Sequence, residues 1–454
     1  MLVVLALAGA LAVAQQPPAA RPPRNVIVIL SDDHRYDFMS FMKGGASSPG
    51  PPAWLGTPAL DRMASRGAHV RNAFVTTSLC SPSRASILTG RYAHRHGVVD
   101  NTSPIPPGTV FFPELLQRAG YRTAYVGKWH MGEDEESDRP RPGFDHWVSF
   151  RGQGVYVDPV LNVNGARVQG TGYTTDILTG YALDWLRRGR AGDTDRPFFL
   201  ILSSKAVHAE FIPAPRHRGR YAAAPIPYPA TMASTDANYR GKPAWVRAQR
   251  DSWHGVDFMY HGQMQFDEFY RRYAETLLSL DESVGRVLDY LDQSGLAAST
   301  LVWYMGDNGF LLGEHGLIDK RNAYEESIRI PMLAYAPGWI PPGTVVTRMV
   351  RNIDVAPTIL DLAGVPAPDS LDGRSVLAAL RGGTVAGAEE LLYEYYWEYA
   401  FPHTPSTFAV RGPRWKYILY HGVWDKNELY DLTADPAERT NLIDAPALRD
   451  TVRA

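Results

Sequence analysis

The sequence contains a single cysteine, Cys80, in 454 residues. One cysteine excludes an intrachain disulfide and a cysteine-rich zinc site, so Cys80 is either a buried apolar filler or is present for its own chemistry. Runs of basic residues are also absent, and the formal net charge is only −2. Neither nucleic acid nor a membrane surface is favoured as a partner, and we expect binding at a local site.

Long apolar stretches are absent after the N-terminus. Residues 2–14 are almost wholly apolar and end in Ala12-Val13-Ala14, a small-residue pattern typical of signal-peptide cleavage. We therefore expect a signal peptide at residues 1–14, a Pro-rich linker at 15–24 and an exported protein, periplasmic or secreted. Because no basic residue precedes the apolar stretch, a short membrane anchor or a wrong start codon is the alternative. No later stretch is long enough to span a bilayer, so no integral membrane segment is expected in the mature chain.

The length predicts more than one structural unit, because a single hydrophobic core usually stops growing at about 250–300 residues. We expect a large domain at residues 25–382 and a smaller one at 383–454, where short aromatic strands begin. In the large domain, predicted strands and helices alternate along the chain, which predicts an α/β fold. The predicted strands are 25–30, 198–202, 300–305, 332–335, 391–396, 408–411 and 415–420, and the predicted helices are 57–66, 175–187 and 266–293.

Two predicted strands are followed directly by polar side chains. Asp32 and Asp33 come just after the first strand, and Asp307 and Asn308 follow the strand at 300–305. Because ligands bind at the carboxyl ends of strands in sheets of this kind, we expect all four side chains at the same edge. Residues 214–243, rich in Pro, Ala and Tyr without clear periodicity, are predicted to form a long ordered loop.

Cys80 opens the densest chemical motif of the chain, the run CSPSRASILTGR. Pro82 suits the first position of a helix that continues through Leu88 to Gly90, and Cys80 then lies at the positive N-terminal end, where anions bind. A Cys-x5-Arg phosphate loop does not fit, because Arg84 follows after only three residues. No papain-like signature surrounds the cysteine. The run instead resembles, at every fixed position, the signature Cys-x-Pro-Ser-Arg-x4-Thr-Gly-Arg of the type I sulfatase family.

The resemblance to sulfatases extends from about Asn25 to the C-terminus. The run GYRTAYVGKWHMG at 120–132 is similar to the second family signature, and further matches follow in the expected order: Ser31-Asp32-Asp33, Lys205-Ala206-Val207-His208, Gly306-Asp307-Asn308-Gly309, Gly313-Glu314-His315-Gly316 and Lys320. The resemblance implies an alkaline-phosphatase-like fold, with a large mixed β-sheet between helices in the catalytic domain and a small antiparallel α+β C-terminal subdomain. Sulfatases usually continue with a further helix, so a truncated C-terminus is also expected.

The family resemblance implies a nucleophile made from Cys80. In sulfatases a separate formylglycine-generating enzyme oxidises this cysteine to formylglycine (3-oxoalanine), whose hydrate attacks sulfur, and that enzyme is therefore an expected partner. Arg84 and Lys128 correspond to the cations that hold the hydrate and the sulfate oxygens. His130 corresponds to a base at the hydrate.

The resemblance also places His208 and Lys320 on the leaving-group side. There the histidine, or the lysine acting with it, protonates the departing alcohol. Taken singly, His208 can be a satisfied core histidine and Lys320 a solvated surface lysine. Their motif contexts favour the catalytic interpretation. His315, which contacts sulfate or orients its loop, is left out of the catalytic set.

The metal expected from the residue types is Ca²⁺. Asp32, Asp33, Asp307 and Asn308 are oxygen donors, which suit Ca²⁺ better than zinc, and Mg²⁺ is the second choice. By resemblance all four are ligands, together with the group derived from Cys80. The alternative for the two N-terminal carboxylates is that they cap the next helix.

The substrate is less determined by the sequence. The aromatic stretch at 393–399, with Glu398 and His403, either reaches the site and stacks on a sugar ring or forms strand core. The general likeness is to bacterial sulfatases that act on sulfated carbohydrates, including glucosamine 6-sulfate and related glycosaminoglycan or mucin units, such as the N-acetylglucosamine-6-sulfatases. Three hypotheses stay open: an exported carbohydrate sulfatase, a phosphonate or phosphate ester hydrolase of the same superfamily, and a noncatalytic sulfoglycan-binding protein.

Overall fold

The computed structural model describes residues 22–43, 50–132, 138–192, 196–250, 264–387, 389–422 and 425–453. The predicted signal peptide at 1–14 and most of the predicted linker at 15–24 lie outside the described residues. Within these ranges, no helix is both long and apolar enough to cross a membrane.

The described residues form sixteen strands and twelve α-helices. The strands are β1 (Asn25–Ser31), β2 (Ala68–Phe74), β3 (Arg122–Lys128), β4 (His146–Phe150), β5 (Val160–Val163), β6 (Ala166–Gln169), β7 (Phe198–Ser203), β8 (Thr300–Gly306), β9 (Leu311–Leu312), β10 (Ile318–Asp319), β11 (Met332–Tyr335), β12 (Thr344–Arg351), β13 (Leu391–Tyr395), β14 (Ser406–Arg411), β15 (Trp415–His421) and β16 (Glu428–Asp431). The helices are α1 (Pro58–Arg66), α2 (Cys80–Thr89), α3 (Ala93–His96), α4 (Phe112–Arg118), α5 (Thr174–Gly192), α6 (Asp236–Tyr239), α7 (Ala244–Arg250), α8 (Phe266–Gln293), α9 (Glu325–Ile328), α10 (Val355–Leu362), α11 (Leu377–Leu380) and α12 (Arg449–Arg453).

Ten strands form one mixed sheet in the order β12-β2-β11-β8-β1-β7-β3-β4-β5-β6. β1 lies in the middle and runs parallel to both β7 and β8. Its side chains alternate between two cores: Val26 and Val28 face one, and Ile27 and Ile29 face the other. A strand buried on both faces reads as a continuous apolar run, which is why this segment was easy to predict.

Helices cover both faces of the large sheet. Side chains of α1, α5 and α8 pack in one core, and those of α2, α4 and α10 pack in the other. The predicted apolar stripe of α8 is buried, and the helix has the predicted bounds. Residues 214–243 contain only the short helix α6, as expected of a long loop. The predicted fold, a large mixed sheet between helical layers, is confirmed.

α2 begins two residues earlier than predicted. Leu79 is the N-cap, Cys80 is the first helical residue and Pro82 is the third. The proline is tolerated because the first hydrogen bond of the helix is donated by the Ser83 amide to Leu79 O, at 2.9 Å, so the missing N–H at position 82 has no partner to lose.

The C-terminal strands β13, β14, β15 and β16 form a separate four-stranded antiparallel sheet. This confirms the predicted small antiparallel subdomain. Tyr393 and Tyr395 of β13 are core residues that share a hydrophobic cluster with α2 and α10, and the Glu394 amide donates to Thr76 O at 2.8 Å. The subdomain therefore packs directly on the large domain, and the proposed division at residues 382 and 383 stays a prediction.

Candidate active site

Two neighbouring strands of the large sheet place four oxygen-bearing side chains together. Asp32 and Asp33 follow β1, whereas Asp307 and Asn308 follow β8, and the two strands end in register at Ser31 and Gly306. All four side chains are buried. The Asp33 amide donates to Asp307 Oδ1 at 3.2 Å, and Asn308 Nδ2 donates to Asp33 Oδ1 at 2.7 Å. The polar residues after the two strands thus meet at one edge of the sheet, as predicted.

Cys80 lies beside this group, at the first position of α2. Its side chain is fully buried, and Sγ is 3.5 Å from Asp32 Oδ1. The Ser81 hydroxyl donates to His130 O and the Ser83 hydroxyl donates to Asp307 O, so the first turn of α2 is bonded to both neighbouring loops. Burial raises the pKa of the Cys80 thiol to about 12, although nearby lysines oppose the shift. An unmodified thiol is therefore neutral and a weak nucleophile.

Two cations hold the side of the site nearest Cys80. Lys128, at the end of β3, donates to Asp32 Oδ2. Arg84 of α2 donates from Nε to Asp307 Oδ2 at 3.0 Å and from Nη1 to Lys128 O at 2.6 Å. Burial works to raise the pKa of Asp32, but Lys128 and Arg84 hold it well below its usual value. Asp32 is therefore ionised.

A third cation, Lys320, is bonded to Asp33. Its Nζ donates to both oxygens of Asp33, at 2.6 and 2.7 Å. Burial disfavours the charged ammonium, yet Asp33 raises the pKa of Lys320 above its ordinary value, so the lysine stays protonated. Burial and the neighbouring Asp32 raise the pKa of Asp307 to about 7. The carboxylates thus repel one another despite the three cations.

This donor set fits a hard divalent cation. Oxygens of Asp32, Asp33 and Asp307 lie within 4.8 Å of one another. Asn308 Oδ1 is buried and has no hydrogen-bond partner among the described residues. A buried acceptor without a donor is costly, and a cation bound between the carboxylates would satisfy it and relieve their repulsion. Four oxygen donors match Ca²⁺.

Two histidines border the site, and both are neutral. His208 Nδ1 lies 2.6 Å from Ala209 O, so Nδ1 carries the proton and Nε2 has a free lone pair, 3.9 Å from Asp33 Oδ2. His130 is 6% exposed, and its Nδ1 has no partner among the described residues. Burial, together with Lys128, holds the pKa of each imidazole well below its usual value.

The loop after β4 adds residues that sequence reasoning missed. Gln153 Oε1 accepts from Lys128 Nζ, and Gln153 O accepts from Lys205 Nζ at 3.1 Å. Lys205 Nζ also lies 4.8 Å from the centre of the Tyr156 ring, and the Tyr156 hydroxyl donates to His208 O. Lys205 belongs to the sulfatase-like run that ends in His208, but the loop carries no sequence pattern that would have identified Gln153 or Tyr156.

The structure does not bring the two predicted substrate-binding residues into the buried cluster. The Glu398 carboxylate accepts from Arg321 Nε at 2.7 Å and from the Tyr395 hydroxyl at 2.8 Å. Arg321 follows Lys320 in the sequence, so Glu398 pairs with a sequence neighbour of a site residue. His403 is exposed and makes no hydrogen bond or ion pair with a described residue. Substrate contacts by Glu398 and His403 stay a prediction.

Comparisons with known proteins agree with the geometry. Residues 24–365 match the family model described as sulfatase, and residues 313–454 match the model described as N-sulphoglucosamine sulphohydrolase, C-terminal. The chain is 32% identical to the N-acetylglucosamine-6-O-sulfatase of Bacteroides thetaiotaomicron, over 94% of this chain and 84% of that protein. It is 30% identical to human N-acetylglucosamine-6-sulfatase, over 97% of this chain and 84% of the relative.

A solved structure is similar over almost the whole chain. It is that of a protein in complex with its substrate, D-glucosamine-2-N,6-O-disulfate, and it superposes with a TM-score of 0.84 at 30% identity, covering 95% of this chain and 96% of the other. The similarity includes both the large sheet and the C-terminal sheet, since the coverage extends over both.

Proposed function

This chain belongs to the sulfatase family and is a sulfuric ester hydrolase, and from this premise we propose that its substrate is a sulfated sugar with a 6-sulfate on a glucosamine unit. The relatives named as N-acetylglucosamine-6-sulfatases and the glucosamine disulfate complex support this substrate class. The observation that carries sulfate ester hydrolysis is the buried set of Asp32, Asp33, Asp307 and Asn308 beside Cys80, with three cations bonded to its carboxylates. Such a site neutralises an anionic ester, which attack on sulfur requires.

Calcium is the proposed metal, with Mg²⁺ as second choice. Asp32, Asp33, Asp307 and Asn308 would hold it, together with the oxygen that replaces Cys80 sulfur after oxidation. When bound, Ca²⁺ supplies positive charge that stabilises oxygen anions at the nucleophile and the sulfate. Mg²⁺ is less suited because it demands near-ideal octahedral geometry at shorter distances.

Cys80 is proposed to be converted to formylglycine by a formylglycine-generating enzyme. Addition of water to the aldehyde gives a geminal diol, and one of its hydroxyls attacks sulfur as the alcohol leaves with a proton. The second hydroxyl then loses its proton, which expels sulfate and restores the aldehyde. Arg84 and Lys128 orient this group and bind sulfate oxygens, because Lys128 bonds Asp32, the carboxylate next to Cys80 Sγ, and Arg84 bonds the adjacent Asp307. The unpartnered Nδ1 of the neutral His130 suits a base at that position.

The leaving alcohol is proposed to receive its proton from the Lys320 side of the site. Lys320 is the protonated group, and the neutral His208 has its Nε2 lone pair free on the same side of Asp33. The lysine therefore supplies the proton, directly or through the histidine. Gln153 positions Lys128 and is itself bonded by Lys205, whereas the Tyr156 hydroxyl donates to His208 O.

The proposal predicts that Cys80→Ala abolishes turnover while leaving the fold intact. Wild-type protein co-expressed with a formylglycine-generating enzyme should show the peptide mass decrease of a thiol that becomes an aldehyde. It should then release sulfate from 6-sulfated glucosamine faster than from 2-sulfated sugars, and hydrolyse an aryl sulfate faster than the matched aryl phosphate. Full activity of Cys80→Ala would falsify the mechanism. Preference for the phosphate would favour a phosphonate or phosphate ester hydrolase, and a persistent thiol with tight binding but no turnover would favour a binding protein.

A further inference from the structure

A second group of side chains that could hold a metal ion shares no residue with the active-site set. His315 is in the turn between β9 and β10, Glu326 is in α9, and Glu438 follows β16 in the C-terminal subdomain. One ligand atom from each lies within 4.8 Å of the other two. His315 is 2% exposed and Glu438 is fully buried, whereas Glu326 is partly exposed.

His315 and Glu326 have buried polar atoms without partners. Both ring nitrogens of His315 and Oε2 of Glu326 make no hydrogen bond with a described residue. The imidazole stacks on the Tyr324 ring, with 4.1 Å between ring centroids, so the ring plane is fixed. Burial of an imidazole with neither nitrogen bonded is unfavourable, and it is explained if a ligand fills the gap between the side chains.

The charges around the group are mixed, with Lys242 and Lys416 near His315, and Glu314 and Arg35 near Glu326. Glu438 Oε1 is already paired with Lys416 Nζ at 2.8 Å, although a carboxylate has further lone pairs to offer. Glu326 makes no ion pair with a described residue. Burial and the nearby Glu314 raise the pKa of Glu326 to about 8, and a bound cation would remove this destabilisation of the ionised carboxylate.

The ligand types indicate which cation fits, and a neighbouring cavity offers a route to it. One imidazole nitrogen and two carboxylate oxygens suit Zn²⁺, whereas the all-oxygen set of the active site suits Ca²⁺. Glu326 also lines a cavity of about 680 Å³ with Arg35, Thr231 and Glu314. An ion can reach Glu326 through this cavity, and water can complete its coordination.

We propose that His315, Glu326 and Glu438 form a zinc site that is separate from the active site. The ion would connect the turn that leads to Lys320 with the C-terminal subdomain, because His315 belongs to the first and Glu438 to the second. Its expected role is structural: zinc holds together two segments that are distant in the sequence.

The test uses the full chain without an affinity tag, freed of metal with a chelator, incubated with Zn²⁺ and passed through a desalting column. Metal content by mass spectrometry and the midpoint of thermal unfolding are measured for wild type, His315→Gln and Glu326→Gln. Glu326→Gln keeps the proposal testable if the buried His315 variant does not fold. Glu282→Gln is the matched control. Glu282 also lies beside an imidazole, that of His217 at 3.0 Å, but the pair belongs to no group of three potential metal ligands among the described residues.

We expect one retained zinc per chain and a raised unfolding midpoint in wild type and Glu282→Gln, with both effects lost in Glu326→Gln and His315→Gln. Asp307→Asn, which disrupts the proposed calcium site, should still retain zinc. The proposal is overturned if wild type retains no zinc or if Glu326→Gln retains as much as wild type. Loss of zinc in Asp307→Asn would show that the ion had occupied the active site, and would also overturn it.

Discussion

Lys128 is held from two sides, by the carboxylate of Asp32 and by the side-chain oxygen of Gln153. We expect Gln153→Ala to lower kcat/KM for a sulfate ester roughly tenfold, the effect of losing about 1.4 kcal/mol from one hydrogen bond to a charged group. Gln169→Ala is the control, because Gln169 is exposed on β6 and bonds only to local backbone oxygens. Unchanged kinetics of the Gln153 variant would show that Asp32 alone positions Lys128.

Lys320 offers a second prediction at the scale of one residue. If it supplies the proton, Lys320→Ala should slow substrates with poor alcohol leaving groups more than activated aryl sulfates, whose leaving groups need little protonation. Rates on a sugar sulfate and an aryl sulfate measure this difference. Because Lys320 also bonds Asp33, bound calcium is measured in parallel. An equal loss on both substrates, with calcium retained, would remove the acid role.

The residues brought together at the site show what motifs predict and what they do not. Asp32, Asp307 and Lys320 were predicted because the family signatures fix their positions, and strand order then explains why they meet. Gln153 was missed because it lies in a loop whose place depends on the packing of the whole sheet. The interpretation of Glu398 as a substrate contact depended on composition alone, and that pattern did not reveal its ion pair with Arg321.

At the scale of elements, α8 caps α1 across the core. The Asp281 carboxylate accepts from the amides of Ala59 and Leu60, at 3.1 and 2.9 Å, whereas the N-cap residue Thr57 makes no side-chain capping bond. Burial raises the pKa of Asp281 to about 7, although the two amides oppose the shift. The helix pair is therefore joined by a group that titrates near neutrality.

This contact predicts a pH dependence of stability. The pKa of Asp281 in the folded protein is above its ordinary value of about 4, so folding favours the protonated carboxyl. The stabilisation that this carboxyl contributes is complete below about pH 4 and is lost as the pH rises through 7. The side chain in Asp281→Asn does not titrate. The free energy of unfolding of the variant minus that of wild type should therefore be larger at about pH 8 than at about pH 5, by roughly 2–3 kcal/mol. Chemical unfolding at both pH values measures it. A constant difference would mean that Asp281 stays ionised.

Elements differed in how well the sequence predicts them. β1, β8 and α8 are buried along one or both faces and carry clear apolar patterns, so their bounds were predicted to within about one residue. β2 and β3 were missed. β2 has polar residues such as Arg71 and Asn72 within it, and only its pairing with β11 and β12, far along the chain, makes it a strand. Non-local pairing of this kind leaves little local signal.

For the whole molecule, metal removal should reduce stability as well as activity. Chelation leaves Asp32, Asp33 and Asp307 facing one another, while Arg84, Lys128 and Lys320 continue to offset part of their charge. We therefore expect a folded apoprotein with a lower midpoint of thermal unfolding, by an amount equivalent to about 2.7 kcal/mol if calcium is present at 100 times its dissociation constant. Asp307→Asn should respond little to added calcium. An equal response of that variant would place the stabilising ion elsewhere.

The central position of β1 has a consequence for how the chain folds. Asn25 pairs with Thr300, so one partner strand is about 275 residues away, and the other, β7, begins at Phe198. At roughly 5–20 residues per second, ribosomal synthesis leaves the apolar segment NVIVIL without its second partner for about 15–55 s. During that interval the nascent chain exposes a segment prone to aggregation, and the proposed calcium site is incomplete. Binding of calcium at that site would therefore report that synthesis and sheet assembly have passed β8.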